Sequence, residues 1–202
     1  VVSNDFGSVE SSLIEIDIED FSLFSFSGLV LWLDASDLMA AESLWTDKSG
    51  NGNHAAKYNT PTVVTNAQNG LSLMRYETDE AHPDYHEWQD ISEIRTVFCV
   101  IKRDSDATGN FSQAIADDNN HHFMAGAGGN ILDGYAHDYV RNGLTKLNGS
   151  SIVASSVAFP TSLSVLTHRT IGNVEASRIG KDRHHTGGFC FDGDYGELII
   201  YK

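Results

Sequence analysis

The sequence predicts an all-β chain folded as an antiparallel two-sheet sandwich, and three observations lead there. Short runs rich in β-branched and aromatic residues recur at 29–33, 62–65, 71–76, 96–101, 152–157, 163–167 and 198–201, most with period-two alternation. Asn-Gly at 51, 69, 142 and 148, and Asp-Gly at 133 and 192, fall between or beside these runs. Such dipeptides accept the positive φ angles of tight hairpin turns. With 18 glycines against 3 prolines, turns must be built from Gly with Asn or Asp.

Taken in order, residues 1–26 form an N-terminal arm and edge strand ahead of a single domain at 27–202. Within the arm, L-I-E-I-D-I-E-D-F-S-L-F-S-F (13–26) alternates acids with apolar residues. A strand of that pattern pairs with its own sheet or with a neighbouring subunit. One helix of one or two turns is expected at 38–44, with Asp37 as its N-cap. Trp32 and Trp45 are expected to plug the core, Asp192-Gly193 to make the last hairpin turn, and Leu198, Ile199 and Ile200 to form a strand buried on both faces.

Composition limits the partners. A net charge of −15, from 13 basic and 28 acidic residues, repels phosphate backbones and argues against nucleic-acid binding. No apolar stretch approaches the ~18 residues of a membrane span, so membrane insertion is not expected. The opening V-V-S-N-D-F predicts no signal peptide. Cys99 and Cys190, each among aromatic and aliphatic neighbours, are expected as buried free thiols.

Five segments in this order carry a resemblance: G-L-V-L-W-L-D-A-S-D (28–37), W-T-D-K-S-G-N-G-N-H-A (45–55), T-V-F-C-V-I-K (96–102), S-R-I-G-K-D (177–182) and F-D-G-D-Y-G-E-L-I-I-Y (191–201). Together they resemble the laminin-G-like, concanavalin A-like jelly-roll domains common in bacterial surface proteins, polysaccharide-acting enzymes and phage virion proteins. The resemblance covers about residues 28–201 and implies two antiparallel sheets of roughly 12–14 strands packed face to face. It says little about activity, because one such fold hosts many functions.

Candidate chemistry lies in the turns. Asp47, Asn51 and Asn53, with Asp194 from the far end, offer the hard oxygen donors of a Ca²⁺ site, although Ca²⁺ takes 6–8 oxygens. The same residues equally build turns by bonding their own main chain. The segments 116–122, 132–139 and 180–188 are dense in Asp, Asn, His, Arg and Tyr. Asp118, Asn120, His122, Tyr135, His137, Asp138 and Arg183 are the expected carbohydrate-binding residues, since planar polar groups beside an aromatic face suit a sugar ring.

An enzymatic alternative sits in the arm, where Glu15, Asp17 and Glu19 share one strand face and E-I-D-I-E is similar to the catalytic core of a glucanase family of the same class. It precedes the Trp32 strand, is followed by D-F-S-L without the Gly or Gln of that family, and has no Trp before it. The nine histidines show no H-E-x-x-H spacing, and no G-x-S-x-G elbow is present.

The expected function is therefore a non-enzymatic carbohydrate-recognition or adhesion module, extracellular or on a cell surface or virion, whose partner is a surface glycan. The first alternative is a virion decoration or tail protein whose arm docks on another virion or surface protein. The second is a polysaccharide hydrolase or lyase.

Overall fold

The computed structural model describes residues 3–4, 7–8, 23, 26–38, 43–77, 82–107, 111–116, 122–127, 129–182 and 190–202. The chain is all-β. Among the described residues, strands β1 (Ser3–Asn4) and β2 (Gly7–Ser8) pair only with each other. The others join one 12-stranded sheet among the described residues: β3 (Leu29–Asp34), β4 (Leu44–Trp45), β5 (Ala55–Tyr58), β6 (Thr62–Gln68), β7 (Leu71–Tyr76), β8 (Tyr85–Arg103), β9 (Phe111–Ala116), β10 (His122–Ala127), β11 (Leu144–Leu147), β12 (Ser150–Ile152), β13 (Ser164–Ile179) and β14 (Gly193–Tyr201). Every recorded pairing is antiparallel.

Two long strands organise the sheet. β8 and β13 pair along 96–101 with 164–169, slip register, and pair again along 86–94 with 174–179. Just past the slip the register shifts again between Ile94 and Ile91, and there Glu93 takes a φ of 64°. This left-handed conformation is rare for a residue with a long side chain and marks a bulge. On one side of it β8 meets β14, which in turn meets β3. On the other, β8 meets β5 and β13 meets β9.

Alternation along these strands sorts side chains onto two faces. Leu33, Leu198, Cys99 and Leu166 are cross-strand neighbours and all buried. Each leucine contributes about 2 kcal/mol of burial. One residue over, Trp32, Ile199, Phe98 and Thr167 form the opposite row, none of them fully buried. Trp45 is buried as expected, whereas Trp32 lies on the outer row, its Nε1 donating to Glu197 Oε1 at 2.7 Å and the Lys48 ammonium over its ring. Ile199 is likewise on that outer row, so β14 is buried on one face rather than two.

Turn chemistry divides the same way. Asn69-Gly70 and Asn148-Gly149 have positive φ at both residues and close the hairpins β6–β7 and β11–β12. Asn142 instead caps a four-residue helix, α1 (Asp138–Arg141), which the sequence did not announce. Gly193 opens β14 rather than turning a hairpin, and the position requires glycine because a Cβ there would lie 2.2 Å from the Lys102 carbonyl oxygen. The turn near 38 is a short 3-10 stretch, Ala35–Asp37, capped by Asp34, and Leu38 is already extended; residues 39–42 of the expected helix lie outside the described residues. Strand β12 stops at Ile152, and Ser156 N bonds Val153 O in a turn where the expected strand would continue.

Candidate functional site

The loop at residues 45–55 is closed by its own hydrogen bonds. Asp47 Oδ1 accepts from Trp32 N and Ser49 N, both at 2.9 Å, and Oδ2 accepts from Ser49 Oγ at 2.8 Å and Asn53 N at 3.0 Å. Asn51 and Asn53 turn their amide N–H groups to the carbonyls of Leu29 and Val30, at 2.9 and 2.8 Å. The loop therefore staples β4 and β5 to the start of β3. Three of the four expected calcium donors share this loop, while Asp194 has partners elsewhere: Arg75 through Nε at 2.8 Å and Nη2 at 3.0 Å, and Lys102 Nζ at 3.0 Å. Burial raises the cost of the Asp194 charge, but those two cations outweigh it and hold its carboxyl below the usual range. Among the described residues, no group of three or more His, Cys, Asp and Glu side chains could hold a metal ion.

A polar cleft of about 510 Å³ opens where residues 130–134, the end of α1 and the β12 turn meet. Its volume falls within the range of small-molecule sites. The segment 129–132 is held by Ile131 N to Val157 O at 3.0 Å and Leu132 N to Ala154 O at 3.2 Å, and Asn130 Nδ2 donates to Ser155 O at 2.9 Å. Asp133 then turns the chain, its Oδ1 accepting from Tyr135 N at 2.8 Å and Ala136 N at 3.3 Å. Among the described residues its Oδ2 is buried with no hydrogen-bond partner. An unmet carboxylate oxygen is expensive and is characteristic of a position completed by something else.

Arg141 and Asn142 line the cleft together with Asp133, and Ile152 and Val153 add apolar surface to it, Val153 being 68% exposed. Asp138 pairs with Arg141 one turn further along α1. The helix end comes close because Gly143 has no side chain: a Cβ there would sit 2.3 Å from Arg169 O and 3.0 Å from Tyr139 O. Thr145, also lining the cleft, shares a hydrogen bond of 3.1 Å with the buried His168. Burial without a counter-charge pushes the His168 pKa down to about 4, so the ring is neutral at pH 7.

Of the residues expected to bind carbohydrate, Tyr135, His137 and Asp138 fall on the segment that frames this cleft. Tyr135 is 67% exposed one residue beyond Gly134. His137 caps α1, its Nδ1 accepting from Tyr139 N at 3.0 Å, which is a local structural task. His122 begins β10, and Asp118, Asn120 and Arg183 lie outside the described residues. Asn130, Asp133, Arg141 and Asn142 were not among the expected binding residues, Asp133 and Asn142 entering only as members of turn dipeptides. Asp133 lies inside the polar segment 132–139, and Arg141-Asn142 is two residues beyond it.

A second, apolar hollow of about 620 Å³ lies on the outer face of β14 and β8, lined by Phe98, Ile199, Tyr201 and Val165 with Leu23 and Phe26. Among the described residues no helix is long and apolar enough to cross a membrane. No protein family, curated protein or solved structure matches this chain.

Proposed function

We propose that this chain is a non-enzymatic carbohydrate-recognition module with a laminin-G-like jelly-roll fold, working outside the cell, on a cell surface or on a virion. The fold half of the proposal is supported by the bulge at Glu93, where two long strands change neighbours, as strands do in passing between the sheets of a sandwich. The single observation that carries the recognition half is the polar cleft with its unpartnered Asp133 oxygen.

The chemistry fits a sugar. Arg141 and Asn142 donate to ring or hydroxyl oxygens, the apolar patch of Ile152 and Val153 accepts the C–H face of the ring, and a shift of the turn at Asp133 exposes its Oδ2 to accept from a hydroxyl. Tyr135 at the rim adds an exposed aromatic plane. The test is saturation-transfer NMR of the full chain against a panel of mono- and disaccharides, with Asp133→Ala as the control. Transfer that disappears in the variant supports the proposal; transfer indifferent to it, or no transfer from any sugar, removes it.

The apolar hollow favours a second reading, a virion decoration or tail protein, because a sheet face of that size left uncovered among the described residues is characteristic of assembly surfaces. Loss of particle incorporation on substituting Phe98 by Glu, with sugar binding intact, would support it.

A further inference from the structure

We infer that the glycan read by this chain is acidic, with a sugar carboxylate held by Arg95 and Arg169 in a hollow that adjoins the Asp133 cleft. The inference rests on the reading of that cleft as a sugar site and names the charge of its ligand. The hollow measures about 640 Å³ and shares Asn142 and Gly143 with the cleft as lining residues. Both arginines line it, and among the described residues no aspartate or glutamate does. In a chain with 28 acidic residues against 13 basic ones, a concavity whose charged groups are all cations runs against the rest of the surface and draws anions to itself.

The register of the two long strands brings the arginines together. Where β8 and β13 slip, Arg169 pairs with Thr96 and Val174 with Ile94, so residues 170–173 of β13 stand opposite Arg95 alone. Four residues against one make a bulge, which bends the strand and re-aims its side chains. Helix α1 packs on that bulge. A Cβ on Gly172 would lie 2.5 Å from the Tyr139 ring, and one on Gly143 would lie 2.3 Å from Arg169 O. The end of α1 thus rests against the backbone of Arg169, which brings the hollow beside the cleft.

Neither charge is answered within the protein. Arg95 and Arg169 are exposed, and among the described residues neither forms an ion pair. Arg95 Nη2 donates to Thr170 O at the long distance of 3.4 Å. Arg75 and Arg141, by contrast, are paired with Asp194 and Asp138. A guanidinium is always charged, and its planar fork of donors matches a carboxylate with two parallel hydrogen bonds. A neutral glycan would leave both forks to water. A uronic or sialic acid unit next to the sugar in the cleft would engage them.

The test is calorimetric titration of the full chain with a panel of oligosaccharides containing uronic or sialic acid, each beside its neutral counterpart in which the carboxylate has been reduced to the alcohol. Wild type is compared with Arg95→Gln and Arg169→Gln together, both at exposed positions. At least one acidic glycan should bind wild type about tenfold more tightly than its neutral counterpart, and the double variant should bind the two alike. Equal affinity of wild type for both members of every pair, or an advantage that survives the double substitution, would overturn the inference and leave the cleft reading standing. Binding of neither form of any glycan would overturn both.

Discussion

The cleft beside Asp133 and the hollow beside Phe98 are comparable in size, about 510 and 620 Å³, and opposite in construction. Loops and a helix end make the cleft, and their polar groups first satisfy one another and then leave a carboxylate oxygen unmatched. The hollow is a regular sheet face whose outward side chains are apolar because strand alternation puts them there. Among the described residues the difference separates two kinds of unfinished surface: one lacks a hydrogen-bond donor, the other lacks a hydrophobic cover.

The largest expected effect tests the frame of the cleft. Gly143→Ala places a methyl 2.3 Å from Arg169 O, a backbone atom that cannot swing away, and should cost about 3 kcal/mol or more by denaturant unfolding. Gly28→Ala at the hollow meets Lys202 O at 2.8 Å and also strains a φ of 91°; it should cost less, since that backbone is the chain's last residue. If Gly28→Ala proved the more damaging, the hollow rather than the cleft would be the rigid region.

Acid should act on the two regions in opposite directions. The folded His168 pKa of about 4 lies below its ordinary 6.5, so the unfolded chain takes up the proton first. Its contribution is complete above about pH 6.5 and is lost as pH falls towards 4, about 3 kcal/mol at the limit. Glu197 borders the hollow. Burial raises its pKa, the Trp32 hydrogen bond opposing and Asp34 reinforcing, so the folded form protonates first and stability is gained as pH falls past that raised value. Melting curves from pH 7 to 4 should fall less steeply in His168→Gln and more steeply in Glu197→Gln. Identical slopes in all three proteins would break this contrast.

Smaller changes follow in the cleft itself. Asp133→Ala removes the acceptor of two backbone N–H groups and should cost about 1–2 kcal/mol in thermal unfolding, partly offset by loss of the unpartnered oxygen. Tyr135→Ala, at an exposed rim position, should leave stability within about 0.5 kcal/mol while weakening sugar binding. A stability loss as large as that of Asp133→Ala would make Tyr135 a packing residue instead.

The all-β class was legible because period two and the turn dipeptides are local signals, and Asn69-Gly70 and Asn148-Gly149 close hairpins as their chemistry requires. Asn142-Gly143 carries the same dipeptide yet ends a helix, since the close approach of Arg169 O, distant in sequence, decides the role of Gly143. Trp32 faced outward for a similar reason: alternation fixes which residues share a face, but only pairing with β14 settles which face is buried. In the candidate site, the density of polar residues at 132–139 was visible. The convergence of Asp133 with Arg141 and Asn142 was not, because it depends on how residues 129–132 pair with 154–157.

The most direct test of the central claim, that the Asp133 cleft takes a sugar, is a glycan array probed with the full chain as wild type, Asp133→Ala, Arg141→Ala and Phe98→Ser. At least one glycan should bind wild type and Phe98→Ser alike and lose about tenfold or more, some 1.4 kcal/mol, in both cleft variants. Binding that survives both cleft substitutions, or a wild-type protein that binds no glycan, would contradict the account.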